Sequence, residues 1–294
     1  MIQNKNIYAK KAYGKINLYL DVLDKRNDGY HNIRSVMQTV SLCDTVTLTI
    51  GNSDKMDIEI FCTDANIKCD KTNLVYKAAA LFLENTSHKA RKYSFTIEKN
   101  IPVSAGMAGG SADAAATLLL LNEAFDFPFN EDELCKMGSK IGADVPFCIK
   151  GGTCICEGIG ERLSSLPTFS GISIISAIDN SSVSTPRAFS MLDEKYGTNC
   201  TDSSDIGKMI DAIVNKDLLG VCSALYNKFE DVIVGEHPGV AQIKKILTSC
   251  GAKGVLMSGS GPSVFGIFDS DASVKNALDA LLSSNIRVNA CKTI

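Results

Sequence analysis

Apolar Ile16, Leu18, Leu20 and Val22 alternate with Lys15, Asn17, Tyr19 and Asp21. A period of two predicts a half-buried strand over Ala12–Val22, with Lys15 and Asn17 on one face. The alternation returns at Asp44–Ile50, where Val46, Leu48 and Ile50 oppose three threonines, and Asp57–Cys62 and Tyr93–Glu98 read as further strands. Leu74, Val75, Ala78, Leu81 and Phe82 recur at helical spacing and predict a helix over Asn73–Glu84. A second helix, about Ser111–Phe125, is nearly apolar and dense in alanine, the pattern of a helix buried on most sides. Asn130 followed by Glu133 has capping-box spacing and opens a third helix that ends near Gly142. Beyond it come Gly142-Ala143-Asp144-Val145-Pro146-Phe147 and a hairpin-like segment, Gly151–Gly158.

From about Gly171 the pattern changes. Ile172–Ile178 reads as a strand, and several helices follow between Ser204 and Ser249. Strands at Gly254–Ser258 and Ser263–Phe268 flank Gly259-Ser260-Gly261-Pro262, and a helix at Ala272–Leu282 precedes a last strand at Ile286–Lys292. The order β-helices-β-β-α-β fits a split βαβ arrangement of the ferredoxin-like kind. The expected class is α+β with two domains, residues 1–160 and 161–294, and a cleft between them is the natural place for a site.

Length and composition narrow the function. A chain of 294 residues can bury a substantial core, and 45% hydrophobic with 21% charged residues is globular composition. A net charge of −3 without a basic run argues against nucleic acid as the main partner. No stretch has the length of a membrane span, and Met1–Asn6 lacks the apolar core of a signal peptide. Eleven cysteines from Cys43 to Cys291, without an export signal, read as reduced thiols, so a cytoplasmic setting is expected. His31, His88 and His237 are too scattered for a metal motif, and Cys154 and Cys156 lack zinc-finger spacing.

The richest chemistry lies at Pro102-Val103-Ser104-Ala105-Gly106-Met107-Ala108-Gly109-Gly110-Ser111-Ala112, which runs straight into the alanine-rich helix. Glycines let a main chain approach a ligand closely, and the first turn of a helix carries N–H groups without partners. Aided by the helix dipole, these groups suit a phosphate. The segment is not a Walker A loop, because no Gly-Lys-Ser/Thr follows, and it is not a dinucleotide fingerprint. It reads as a phosphate cradle for a nucleotide, with a plain glycine-rich turn as the alternative.

Three further motifs accompany it: Ala12-x-x-Lys15-x-Asn17-Leu18 with Asp28-Gly29-Tyr30-His31, then Gly142–Pro146, then Met257–Pro262. Together with the cradle, this set resembles the GHMP family of small-molecule kinases nearly end to end. The resemblance implies a two-domain fold, an N-terminal ribosomal S5 domain 2-like part and a C-terminal ferredoxin-like part. It implies ATP as phosphoryl donor, accompanied by Mg²⁺, and a small-molecule alcohol as acceptor, with no nucleic-acid or membrane partner and a monomer or homodimer as the active form. By the same resemblance, Gly29-Tyr30-His31 implies an acceptor bearing a diphosphocytidyl group. Homoserine, mevalonate or a sugar would be the other acceptors, and a nucleotide-binding sensor without turnover is the non-enzymatic alternative.

The resemblance also implies roles. Asp144 would be the general base and Lys15 its electrostatic partner at the acceptor hydroxyl. Read alone, Lys15 is a solvated strand lysine and Asp144 a turn or cap residue. Asn17, Tyr30, His31, Thr185 and Phe189 would bind the acceptor, with Tyr30 and Phe189 on the faces of its base, although core packing is the plainer role for both aromatics. Asn73, Leu74 and Lys99 match positions near adenosine. Ser111 and Asp113, at the opening of the helix, could place Mg²⁺ or simply cap it, and no metal ligand set is implied. The turn at Ser258–Gly261 would approach the cradle. Met107 stands where relatives often carry leucine, and Tyr13-Gly14 where they often carry Pro-Ala.

Overall fold

The computed structural model describes residues 7–87, 90–179, 181, 183–197 and 205–294; Met1–Asn6, His88 and Ser204, named above, lie outside the described residues. In chain order the elements are β1 (Ile7–Lys25), β2 (His31–Asn52), β3 (Asp57–Cys62), α1 (Leu74–Glu84), β4 (Arg91–Glu98), α2 (Gly109–Ala124) and α3 (Glu131–Ser139). Next come α4 (Val145–Lys150), β5 (Thr153–Gly158), β6 (Arg162–Ser165), β7 (Ser173–Ile178), α5 (Thr185–Tyr196), α6 (Ile206–Val214) and α7 (Leu218–Ser223). The chain closes with β8 (Tyr226–Asn227), α8 (Glu230–Ile233), α9 (Pro238–Ser249), β9 (Gly254–Met257), β10 (Ser263–Phe268), α10 (Asp271–Ser283) and β11 (Arg287–Lys292).

Two compact units are interleaved in sequence. The first comprises Met1–Gly14, Cys43–Val103 and Ala108–Lys150, and the second Lys15–Leu42, Ser104–Met107 and Gly151–Ile294. In the first, the C-terminal half of β2 pairs antiparallel with β4, from Thr45 opposite Glu98 to Asn52 opposite Arg91, and β3 lies parallel to β4. Alternation puts Val46, Leu48, Tyr93 and Phe95 into the core. Helix α1 packs against α2. From α1 come Val75, Ala78, Ala79, Phe82 and Leu83, and Phe82 meets Phe129 edge-on at 5.2 Å. Helix α2 buries Ala112 through Leu118 without interruption, as a helix apolar on nearly every side must. The capping box of Asn130 and Glu133 is formed at α3.

In the second unit, the N-terminal half of β2 pairs antiparallel with β5, β5 with β6, and β8 lies parallel to β1 at Tyr19 and Leu20. A separate four-stranded sheet has the order β11-β7-β10-β9. Since β10 is antiparallel to both β7 and β9, these two are parallel with β10 between them, the split βαβ expected from the sequence. Its core joins Ile175, Ala177, Val264 and Phe268 to Val240, Ile243 and Leu247 of α9 and Ala277 and Leu281 of α10.

Several boundaries differ from the sequence reading. Strand β2 extends back to His31, because polar Ser35, Gln38 and Thr39 are buried and break the alternation. Gly142–Phe147 is not only a turn: Val145 begins α4, and Cys148 N donates to Asp144 O at 3.0 Å. The hairpin at Gly151–Gly158 is one strand, β5, whose partner β6 follows it. The ten cysteines described are free thiols. Among the described residues, no helix is long and apolar enough to cross a membrane.

Candidate active site

Lys15 sits in the buried middle of β1, only 4% exposed, which rules out the solvated-lysine reading. Its Nζ donates to Asn17 Oδ1 at 2.7 Å, Asn17 Nδ2 donates to Ser35 Oγ at 2.9 Å, and Ser35 Oγ donates to the Tyr19 carbonyl at 2.6 Å. This chain of donors fixes the Asn17 amide, so the ammonium is held in one position. The strand period that placed Lys15 and Asn17 on one face thus has a direct consequence. The Lys15 main-chain N–H also donates to Met107 O at 3.1 Å and ties β1 to the cradle segment Ser104–Met107 in the same unit.

That segment is backed by the turn at Ser258–Gly261. Ser258 Oγ donates to Gly106 O at 3.0 Å. Gly106 has φ +70°, and a Cβ there would lie 2.1 Å from Ser258 O, so both backbone conformation and space require glycine. Asn227 Nδ2 holds the turn through Met257 O (2.7 Å) and Gly259 O (2.8 Å), and Thr185 Oγ1 lies 2.8 Å from Ser260 Oγ. The expected approach of the second glycine turn to the cradle is present.

The rest of the cradle belongs to the first unit. Ala108 is the left-handed N-cap of the 16-residue α2 and makes no side-chain capping bond. The first helical bond there runs from Ala112 N to Ala108 O, so the amides of Gly109, Gly110 and Ser111 have no intrahelical acceptor. Such a helix start is an anion site. The Ala105, Met107 and Ala112 side chains and Pro102 are buried, which leaves only their main chain for a ligand, while Val103 and Ser104 are exposed. A Cβ on Gly109 would lie 3.0 Å from Ile101 and 3.2 Å from Lys99 Nζ, and one on Gly110 would lie 3.5 Å from Leu74.

Beneath this helix start lies a buried ion trio that sequence reasoning did not anticipate. Lys99 Nζ donates to Asp44 and, at 2.8 Å, to Asp113 Oδ2; all three side chains are 5% exposed or less. Asp44 Oδ1 also accepts from Asn100 N (2.6 Å) and Ile101 N (2.8 Å), which fixes the approach to Pro102. One ammonium serves two carboxylates, and Asp113 Oδ1 is enclosed without a hydrogen bond. Burial, with Asp44 adding to it and Lys99 opposing, pushes the Asp113 carboxyl up to about 7. Burial pulls the Lys99 ammonium down, but the two carboxylates outweigh it and hold it above its ordinary value. Asp113 therefore belongs to the interior, and neither reading of it at the helix opening, cap or Mg²⁺ ligand, fits this geometry. Asn73 caps α1 through Val75 N at 2.9 Å and donates to Lys68 O, so its side chain is committed to the fold.

Asp144 is half-buried in the first unit, at the start of α4. Tyr30 and His31 follow the hairpin tip, where Arg26 N donates to Tyr30 O and Gly29 takes φ +87°. Tyr30 is 61% exposed, whereas His31 is 6% exposed. Phe189 stacks on the His31 ring, centroids 4.7 Å apart, and packs edge-on against Phe229. Asp193, unforeseen in the sequence, accepts from His31 Nε2 at 2.7 Å and from Lys25 Nζ at 2.5 Å.

The GHMP kinases N terminal domain matches residues 73–152 and the GHMP kinases C terminal domain matches residues 209–287. The chain belongs to the GHMP kinase family. It is 45% identical over 261 residues to the 4-diphosphocytidyl-2-C-methyl-D-erythritol kinase of Clostridium novyi (strain NT), covering 88% of this chain and 90% of that one. Its identity to the enzyme of that name from Clostridium kluyveri (strain ATCC 8527 / DSM 555 / NBRC 12016 / NCIMB 10680 / K1) is 41%, over 97% of this chain and 99% of that one. A crystal structure of 4-(cytidine 5'-diphospho)-2C-methyl-D-erythritol kinase superposes with a TM-score of 0.77 at 27% identity, covering 97% and 99% of the two chains. The matched N-terminal domain spans Asn73, Lys99, the cradle and Asp144, and the C-terminal one spans the Ser258–Gly261 turn. Lys15, Asn17, His31, Thr185 and Phe189 lie outside both matched ranges.

Proposed function

We propose that this GHMP kinase transfers the γ-phosphoryl group of ATP to the 2-hydroxyl of 4-diphosphocytidyl-2-C-methyl-D-erythritol, giving the 2-phosphate and ADP in the non-mevalonate route to isoprenoid precursors. The observation that carries the reading is near full-length similarity to relatives bearing that name, at 41–45% identity. The uncapped start of α2 and the buried Lys15 support it physically.

An alcohol attacks poorly until its proton is removed, and phosphoryl transfer otherwise depends on alignment and charge stabilisation. Asp144 takes the proton of the acceptor hydroxyl. Lys15, held by Asn17, favours the developing alkoxide. The amides of Gly109, Gly110 and Ser111 receive phosphate oxygens, and Gly106 lets the main chain come close. Among the described residues no group of three or more His, Cys, Asp or Glu could hold a metal. Mg²⁺ accompanying the nucleotide would neutralise phosphate charge, and the Ser111 hydroxyl would be a protein oxygen suited to it, since Asp113 Oδ2 is bound by Lys99. The cytosine packs on exposed Tyr30 and meets the edge of His31, and Phe189 supports the imidazole from behind.

A coupled ADP-release assay tests the reading, with the diphosphocytidyl alcohol, mevalonate and homoserine as acceptors. Turnover is expected only with the first. Turnover with either of the others and not with the first would refute the acceptor, and nucleotide binding without any turnover would favour a sensor.

A further inference from the structure

Behind the cradle segment lies a buried polar patch that the reaction described above does not use. Ser176 Oγ lies 3.3 Å from Met107 Sδ and 3.1 Å from Ser263 Oγ. Met107, Ser176 and Ser263 are each 1% exposed or less. A thioether sulfur only accepts, and a hydroxyl carries one hydrogen. Ser176 therefore donates to Met107 Sδ, and Ser263 satisfies the Ser176 oxygen by donating to it. Gly106, the preceding residue, is tied separately, because its carbonyl accepts from Ser258 Oγ at 3.0 Å. The Met107 carbonyl in turn accepts the Lys15 N–H at 3.1 Å. All of these residues belong to the second unit. Methionine has three rotatable side-chain bonds and fills irregular gaps in several conformations. A donor aimed at its sulfur selects one of them, and with it the place of the carbonyl that registers Lys15 against the cradle.

We propose that Met107 is a positioning residue, anchored through its thioether by the Ser176 hydroxyl, and that this anchor sets Lys15 for phosphoryl transfer. The inference rests on the kinase reading above, with Lys15 at the acceptor hydroxyl. Turnover depends on alignment at the level of tenths of an ångström, so a side chain that touches no ligand can act through the strand it registers. Met107→Leu keeps the volume and removes the acceptor, and Ser176→Ala keeps the sulfur and removes its donor. Both break one link, so their effects on turnover are coupled rather than independent. Ser263→Ala disturbs the same buried patch and leaves the bond to sulfur in place.

The experiment compares kcat on the diphosphocytidyl alcohol and ADP affinity in the wild type, Met107→Leu, Ser176→Ala, the double variant and Ser263→Ala. Met107→Leu and Ser176→Ala are each expected to lower kcat about three- to tenfold, with ADP affinity within about twofold. The double variant is expected to fall no further than the worse single, and Ser263→Ala to keep kcat within about twofold. Labelling the eight methionine methyl groups with ¹³C gives a second readout, in which Met107 is assigned by its loss in Met107→Leu. Its resonance is expected to move in Ser176→Ala, as the released thioether averages over conformers, and to stay in Ser263→Ala. In a merely structural role, Ser263→Ala would cost as much kcat as Ser176→Ala, or the double variant would lose the product of the two single effects. Either result, or an unmoved Met107 methyl in Ser176→Ala, overturns the proposal. If Ser176→Ala fails to fold, kcat in Met107→Leu against Ser263→Ala decides. Wild-type protein that binds ADP and does not turn over this acceptor would instead strike the kinase reading, and the inference with it.

Discussion

Replacing Asp113 by asparagine neutralises one of the two carboxylates that share the Lys99 ammonium, at nearly constant volume. The native carboxyl releases its proton at about 7, against 3.8 for the free side chain. Between those values the folded chain binds a proton that the unfolded chain has lost. The sign follows: stability from this group is fully present below about pH 3.8, falls as pH rises, and is gone above about pH 7. Three pH units at about 1.36 kcal/mol each give about 4 kcal/mol. The asparagine variant lacks this titration. Urea unfolding of both proteins from pH 4.5 to 8.5 cancels the other carboxylates in the difference. The wild type is expected to lose about 3 to 4 kcal/mol relative to Asp113→Asn across that range. The amide places an N–H₂ where Asp113 Oδ1 has no partner, a fixed cost of about 1–3 kcal/mol that shifts the whole difference without changing its slope. A flat difference, or a wild type that gains on the variant as pH rises, would mean that Asp113 is a stably ionised partner of Lys99 and would refute the reasoning.

Asp144→Asn and Lys15→Met are each expected to lower kcat by at least about 10²-fold with little change in ATP affinity, read by steady-state kinetics and nucleotide titration. Near-normal turnover in Asp144→Asn would remove it from the base role. Gly106→Ala forces a Cβ to within 2.1 Å of the Ser258 carbonyl at φ +70°, and it is expected to cost more than about 2 kcal/mol in thermal unfolding and to weaken ATP binding. Phe82→Ala opens the contact of α1 with Phe129 and is expected to cost about 3–5 kcal/mol by urea unfolding, with Michaelis constants unchanged in the protein that remains folded.

Local rules acting on near neighbours made much of the chain legible before folding. The period of two put Lys15 and Asn17 on one face, and the structure joins them by a 2.7 Å bond. Small residues before an apolar run marked the start of α2, and Asn130 with Glu133 marked α3. The C-terminal split βαβ arrangement was legible from the succession of elements, while the place of β11 beside β7 was not. Other features depend on residues far apart in sequence. Nothing in the sequence joins Asp44 to Lys99, read near adenosine, or to Asp113, read as a cap or Mg²⁺ residue, and only the packing of β2, the loop after β4 and α2 sets one cation between two carboxylates. Buried Ser35 and Gln38 hid the first half of β2, because their partners, Tyr19 O for one and Thr153 with Ile294 O for the other, are supplied from elsewhere in the chain. Asp193 reaches His31 across 162 positions. Hydrophobic periodicity and capping are one-dimensional and can be read from order. The protonation state of a buried carboxyl is set by which charges and donors the fold brings within about 3 Å, and no local pattern encodes that.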